Sequence, residues 1–156
     1  NLAWLKDAPV AVVTETAPCA IRPEPDPDLE KPPYGLGSSW DEQFAKGRAS
    51  VAEERKRTPV LSCEVQGIRI GPLGIATNGS EFFCDLGLRI KVCSPLQPTW
   101  VVRLANEYIG YVPTPQAFVG GGYEPRTARS SKLAIDAGQR LIAAALRALG
   151  QIAPKA

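Results

Sequence analysis

The sequence predicts an α/β protein, in which a mixed sheet is flanked by helices. Two patterns lead to this prediction: runs of alternating or β-branched apolar residues, and longer stretches with apolar residues at helical spacing. These strand-like and helix-like segments alternate along the chain, as they do in α/β or α+β folds. The 156 residues are 44% hydrophobic, which is enough for a substantial core.

Four strands are predicted. Val10 to Thr16 is β-branched and apolar, as is typical of a strand. Residues 61–70 alternate apolar and polar side chains, the turn sequence 71–74 (GPLG) follows, and apolar character resumes at 75–77. This order predicts a β-hairpin. Trp100 to Leu104 is predicted to be a short, buried strand.

Three helices are predicted. The first runs from Trp40 to Arg57 and is stopped by Pro59. The second covers 81–92, where Phe82, Leu86 and Ile90 have helical spacing. The third is an amphipathic C-terminal helix over 135–149.

The chain length suits one domain or a large piece of one. Residues 22–39 contain five prolines, which disfavour regular structure and indicate an extended connector. A linker between domains is one interpretation, and we favour a long surface excursion within a single domain. The start at Asn1, without Met or a signal-like segment, is expected to be a processing or artificial boundary.

Composition excludes several function classes. Eighteen basic and sixteen acidic residues leave a formal net charge of only +2. The densest charged run, 53–57 (EERKR), mixes both signs and is typical of the solvated end of a helix. No nucleic-acid partner is therefore expected. No stretch approaches the roughly 20 apolar residues of a membrane span.

Cysteine and histidine usage constrains the chemistry further. The four cysteines form no C-x-x-C pair, so a zinc knuckle or a thioredoxin-type motif is not supported. Free, partly buried thiols are predicted, although spacing alone does not exclude a disulfide. The chain contains no histidine, so a Ser-His-Asp, Cys-His or His-based zinc site cannot form within this chain alone.

Few residues suggest chemistry without further information. The run 120–122 (GGG) lacks the Lys-Ser/Thr of a phosphate-binding loop, and a flexible or close-approach loop is the simpler interpretation. Beyond it, Glu81 is an acid at a predicted helix start, and a tyrosine-rich turn follows later in the chain. These residues alone indicate part of an α/β protein and do not assign a reaction to it.

Three stretches resemble the neutral/alkaline ceramidase family. They are 77–83 (TNGSEFF) with 87–91 (GLRIK) downstream, 104–114 (LANEYIGYVPT), and 121–124 (GGYE). The family pattern has an acid-bearing turn, then N-x-Y-x-x-Y with a threonine-bearing turn, then a Tyr-Glu pair. The order and the gaps are similar here, and the resemblance spans roughly 60–149.

The resemblance implies that 1–156 is the C-terminal portion of a larger catalytic domain. Family members hold one zinc ion with two histidines, a glutamate and a tyrosine. By position in the motifs, the zinc ligands in this chain would be Glu81 and Tyr111. Tyr123, in the Tyr-Glu pair, would polarise the substrate amide as the catalytic tyrosine. The two histidines would come from the N-terminal part of the same domain, which this sequence does not contain.

These residue types suit amide hydrolysis. Zinc binds a few nitrogen and oxygen donors and keeps one position open for water. The bound water becomes acidic enough to act as hydroxide near neutral pH. A phenol that donates a hydrogen bond to the developing oxyanion stabilises the transition state.

The function implied by the resemblance is zinc-dependent cleavage of an N-acyl (sphingo)lipid amide. The alternative is a non-catalytic structural or interaction module that keeps the fold, and a different hydrolase on the same fold is a third option. The implied partners are an N-acyl lipid or amide substrate and the N-terminal part of the same catalytic domain. Peripheral contact with a membrane is compatible with the resemblance. The resemblance also implies a secreted or periplasmic location.

Each candidate residue has a structural alternative. Glu81 could be a helix-start carboxylate that interacts favourably with the helix dipole. Tyr111 could be a packed core tyrosine, and Tyr123 an ordinary loop tyrosine. Asn106 is interpreted as structural, bracing its turn through bonds to the backbone.

The sequence departs from the family pattern at two places. Gly79-Ser80 stands where the family has Pro-Gly before the acid. Gly110 stands before the predicted ligand tyrosine, where animal members often have a polar residue or histidine.

Overall fold

The computed structural model describes residues 7–23 and 38–154. Within these ranges, six strands and four helices follow one another along the chain. In order, they are β1 (Val10–Ala20), α1 (Ser38–Arg57), β2 (Val60–Ile70), β3 (Leu73–Asn78), β4 (Ser80–Phe82), α2 (Cys84–Cys93), β5 (Thr99–Val102), β6 (Gly110–Val112), α3 (Pro115–Gly120) and α4 (Ala137–Ile152).

The main sheet has four strands in the order β1-β2-β3-β5. β1 pairs with β2 and β2 with β3 in antiparallel fashion, while β5 joins β3 in parallel. β4 and β6 form a separate two-stranded parallel sheet. The fold is therefore α/β with a mixed sheet and flanking helices, which confirms the predicted class.

One face of the main sheet is covered by α4, which packs on β1, β2 and β3 and also contacts α2. The helix is amphipathic and buries Leu141, Ala145 and Leu149 along one stripe. Burying a leucine side chain contributes about 1.5–3 kcal/mol. The core between sheet and helices also contains Cys19, Cys63, Val65, Ala76, Leu86 and Ile90.

The opposite face of the main sheet carries an apolar row. Val12 pairs with Ile68, Ile68 with Ile75, and Ile75 with Trp100, so these side chains cross all four strands. At the two ends of the row, Val12 and Trp100 are 56% and 57% exposed. We call these four residues the outer row.

Several predicted elements are confirmed. The first strand extends to Ala20, beyond the predicted Thr16. The hairpin forms with Ile70 opposite Leu73, and the helix before it ends at Arg57. The C-terminal helix occupies Ala137–Ile152. No helix among the described residues is long and apolar enough to cross a bilayer.

The prediction of a helix over 81–92 is wrong at its start. Ser80–Phe82 is strand β4, and α2 begins only at Cys84. Phe82 in β4 and Leu86 and Ile90 in α2 are all buried. Their four-residue spacing therefore resembles one face of a single helix. Pairing of β4 with β6, which is distant in sequence, overrides the local pattern. Glu81 is therefore not a helix-start carboxylate.

Two further expectations need correction. Trp100 and Val102 are 57% and 43% exposed, so β5 is not a buried strand. Its outward side chains lie on the sheet face that no element of residues 7–23 and 38–154 covers. All four cysteines are free, yet Cys84 and Cys93 are exposed and only Cys19 and Cys63 are buried. The proline-rich excursion predicted for 22–39 falls largely on 24–37, which lies outside the described residues.

Candidate functional site

The two-stranded sheet places Glu81 beside Tyr111. β4 and β6 run parallel, with Ser80 opposite Gly110, Glu81 opposite Tyr111, and Phe82 opposite Val112. Phe82 and Val112 are buried, while Glu81 and Tyr111 between their buried neighbours are half-buried. Residues opposite each other on neighbouring strands project from the same face of a sheet. A carboxylate and a phenol therefore share one face.

The turn before Glu81 is fixed by buried polar contacts. The Asn78 carbonyl Oδ1 accepts hydrogen bonds from the backbone N–H of Ser80, at 3.0 Å, and from its hydroxyl. A Cβ at Gly79 would lie 2.4 Å from Cγ of Glu107, so only glycine fits between them. The Ile109 N–H donates to the Gly79 carbonyl at 2.9 Å. This bond ties the turn to the segment that leads into β6.

Glycine is required at position 110, where animal members of the family that the sequence resembles often have a polar residue or histidine. Its φ of +87° lies in the left-handed region, which strongly favours glycine. A Cβ there would lie 2.5 Å from the Ser130 carbonyl oxygen. The same carbonyl accepts the Tyr111 N–H at 2.7 Å. The departure at Gly110 thus lets the 125–133 loop pack directly against the strand that carries Tyr111.

Tyr108 is a site residue to which the sequence assigned no role. Its hydroxyl donates a hydrogen bond to Glu81 Oε1 at 2.9 Å. Partial desolvation of its hydroxyl, followed by this bond and the Glu81 charge, raises the pKa of Tyr108 to about 12. Its place as the first tyrosine of N-x-Y-x-x-Y is the signal that could have identified it.

Tyr111 and Tyr123 are neighbours in space. Their ring centroids are 6.0 Å apart, with the planes 87° to each other. This edge-to-face geometry is favourable for aromatic pairs. Partial burial, followed by the neighbouring Glu81 carboxylate, raises the pKa of Tyr111. The phenol of Tyr111 is thus kept protonated beside the carboxylate.

Helix α1 supports Tyr123 from the other side. The buried Phe44 ring meets the Tyr123 ring edge-on, with centroids 5.8 Å apart. The guanidinium of Arg126 stacks over Phe44, 4.1 Å from the ring centroid. Cation–π contacts of this kind are stronger when the cation is desolvated, and Arg126 is buried. The position of Tyr123 therefore depends on α1 as well as on its own loop.

Two clefts adjoin these tyrosines. One, of about 690 Å³, is lined by Arg57, Arg129 and Lys132 together with Glu54, Tyr108 and three hydroxyl residues; we call it the basic cleft. The other, of about 500 Å³, is lined by the rings of Phe44 and Tyr123, by Lys46 and further residues of α1, and by 128–130; we call it the aromatic cleft. Ser50, Arg129 and Ser130 line both. The clefts are therefore contiguous along α1.

All three predicted site residues lie in one place. Glu81 and Tyr111 are opposite each other, and Tyr123 contacts Tyr111. Asn106 adopts a left-handed φ of 67° and donates to the Glu64 carboxylate, so its brace reaches a side chain and not the backbone. Among residues 7–23 and 38–154, no three His, Cys, Asp or Glu side chains form a metal-ligand cluster.

Comparison with known proteins shows a likeness at the level of fold. No family profile matches the chain, and a search of curated proteins finds no match. The solved structure of neutral ceramidase from Pseudomonas aeruginosa is similar, with a TM-score of 0.52 and 17% identity. The likeness covers 94% of this chain and 29% of that one. The chain therefore has a ceramidase-like fold and spans less than a third of the length of that protein.

Proposed function

We propose that this chain is part of the catalytic domain of a zinc-dependent amide hydrolase that cleaves N-acyl substrates, with N-acylsphingosine as the first candidate. The observation that carries the proposal is the pairing of Glu81 with Tyr111 across β4 and β6. The likeness in fold to a neutral ceramidase supports it. The pairing supplies oxygen donors on one face, with Tyr123 beside them.

The donor set suits zinc. Glu81 and Tyr111 offer one anionic oxygen and one phenol oxygen, and zinc accepts oxygen together with imidazole nitrogen. Partial burial and the Glu81 carboxylate raise the pKa of the Tyr111 phenol, and a divalent cation bound beside it would lower that pKa. Two histidines from the N-terminal part of the domain would complete the site. When bound, zinc would supply Lewis acidity and an activated water.

The roles of the chain's own residues follow from their positions. Glu81 and Tyr111 would hold the metal, and Tyr108 would orient the Glu81 carboxylate through its 2.9 Å hydrogen bond. Tyr123, which is 39% exposed, would donate its phenol hydrogen bond to the amide carbonyl oxygen. In hydrolysis the C–N bond breaks, the acyl carbon gains hydroxyl from water, and the amine nitrogen gains a proton.

The test uses the full-length protein and two measurements, zinc content and turnover of N-acylsphingosine. We expect Glu81→Gln and Tyr111→Phe to lose zinc. Tyr123→Phe should keep zinc and lose turnover by about 10²–10³, as when one oxyanion donor is removed. Glu53→Gln, at an exposed site on α1, is the matched control. Equal zinc loss in all three variants would contradict the division of roles.

The chain alone gives a second test. Because two ligands are expected from elsewhere, we expect it to bind zinc weakly and to leave N-acylsphingosine intact. Tight, stoichiometric zinc binding by this chain alone would contradict the shared site.

One observation bears on the alternative of a non-catalytic interaction module. Among the described residues, no element covers the outer row, and Trp100 is 57% exposed, as at a surface that meets a partner. We propose that the N-terminal part of the same catalytic domain covers the outer row. The upstream sequence separates the two functions, since the absence of metal-spaced histidines there would favour the module.

A further inference from the structure

The basic cleft holds an excess of positive charge beside the candidate site. Lys132 is fixed in its wall, because its Nζ lies 2.7 Å from Glu54 Oε1 and its side chain is only 16% exposed. Arg57 and Arg129 also line the cleft. Within the described part of the chain, neither arginine forms an ion pair. Three cations thus face one carboxylate, and that carboxylate is engaged by Lys132.

The cleft is directly joined to the candidate site. Tyr108 lines it, and the hydroxyl of Tyr108 donates to Glu81. On the other side of the shared wall lies the aromatic cleft, with Tyr123 and Phe44. A substrate whose amide lies between Glu81 and Tyr123 therefore extends toward one cleft at each end. One end would meet the rings of Phe44 and Tyr123, with Lys46 and the shared Arg129 also in that wall. The other end would meet the three cations of the basic cleft.

We infer that the basic cleft binds an oxyanion on the amine half of the substrate, while the acyl chain occupies the aromatic cleft. The inference rests on the proposed function and adds a preference within it: N-acylated amines that carry a carboxylate or a phosphate would be cleaved more efficiently than those with an uncharged amine half, such as N-acylsphingosine. Arginine is well suited to such groups, because its planar donors bind carboxylate and phosphate in bidentate fashion. An uncharged amine half would leave Arg57 and Arg129 without an anion.

Matched substrates test the inference in the full-length protein. N-lauroylglycine, N-lauroyl-phosphoethanolamine and N-lauroylethanolamine share one acyl chain and differ in the charge of the amine half. We expect one or both anionic amides to have a kcat/KM at least about tenfold above that of the ethanolamide, since a charge-assisted hydrogen bond contributes on this scale. Comparison of the glycine and phosphate arms identifies which oxyanion the cleft accepts.

Variants of the cleft arginines test whether the basic cleft causes the preference for anionic amides. In Arg57→Gln/Arg129→Gln, we expect the preference to disappear, because the KM for the anionic amides rises. Arg103→Gln/Arg147→Gln removes two exposed arginines elsewhere and should keep the preference. Equal kcat/KM for all three amides would overturn the inference and leave the proposed function intact.

A binding measurement separates failure of the inference from failure of the proposed function. Calorimetric titration with inorganic phosphate should show a site that the cleft variant loses and the control keeps. If phosphate binds in this way but no amide is hydrolysed, the oxyanion site stands and the assignment to an amide substrate falls with the proposed function. If neither binding nor charge preference is found, the oxyanion site is overturned.

Discussion

Tyr108 donates its hydroxyl to the same carboxylate, Glu81, that lies opposite Tyr111 on the neighbouring strand. One carboxylate thus interacts with two phenols from a single short segment. Tyr108 lies three residues before Tyr111, and Gly110 between them has a left-handed φ. The negative charge of Glu81 contributes to the raised pKa of both tyrosines. Titration of the two phenols can therefore measure its effect.

Titration of the phenols by ultraviolet absorbance tests this relationship. Tyr108 should ionise near pH 12, and Tyr108→Phe should remove that step. A phenol whose folded pKa exceeds its unfolded value near 10 stabilises the fold fully below pH 10. That contribution is lost as pH rises toward 12. Tyr108→Phe should therefore reduce the loss of stability over this range.

Glu81→Gln should lower the pKa of Tyr108 and of Tyr111, because it removes the negative charge but keeps an acceptor oxygen. Glu53→Gln, on the exposed face of α1, should leave both steps in place. An unchanged titration curve in Glu81→Gln would show that the carboxylate does not interact with the two phenols.

Gly110→Ala should destabilise the protein, because a Cβ would meet the Ser130 carbonyl at 2.5 Å and φ is +87°. Strain at a positive φ together with a backbone clash is expected to cost about 2–4 kcal/mol in the free energy of unfolding. Gly120→Ala is the control, since nothing lies within 4 Å of a Cβ there. Denaturant unfolding that gives equal values for both variants would contradict the packing of the 125–133 loop on β6.

The sequence predicted the secondary structure correctly where the apolar periodicity of a segment matches the side chains that it buries. The alternation in 61–70 predicted strand β2, and the stripe over 135–149 predicted the helix that covers the sheet. Resemblance placed Glu81, Tyr111 and Tyr123 in motifs far apart along the chain. The structure brings them together. Their roles in binding zinc and in catalysis stay predictions.

The sequence was uninformative where contacts distant in the chain decide the outcome. β4 and β6 have three residues each, too few for a periodic pattern, and they exist through pairing with each other. Phe44 on α1 contacts Tyr123, which is distant in the sequence. No sequence pattern in either segment predicts that contact. The same holds for the basic cleft, whose cations come from α1 and from the 125–133 loop.

Trp100→Ser tests whether the outer row is covered in the full-length protein. If the N-terminal part of the domain packs on it, the substitution should lower the free energy of unfolding by about 3 kcal/mol or more, as for loss of a buried aromatic side chain. Val92→Ser, at an 81% exposed site on α2, should change stability by less than about 0.5 kcal/mol. Similar small effects at both positions would contradict coverage of the outer row.

Arg22 is expected to be the largest single polar contributor to stability near the site. Its guanidinium donates to the carbonyls of Leu133 at 3.1 Å and Pro125 at 2.6 Å, and to the Thr127 hydroxyl at 2.9 Å. It also stacks over the ring of Phe118. These contacts fasten the 125–133 loop to the end of β1.

Arg22→Met keeps the side-chain length but leaves buried carbonyls without their donor, which should cost about 3 kcal/mol or more in the free energy of unfolding. Arg140→Met removes one exposed ion pair, with Asp136, and should cost less than about 0.5 kcal/mol. Because the 125–133 loop carries Ser130 and Arg129, Arg22→Met should also weaken phosphate binding in the basic cleft. Denaturant unfolding and calorimetry check both effects, and near-equal stability of the two variants would show that Arg22 does not fasten the loop.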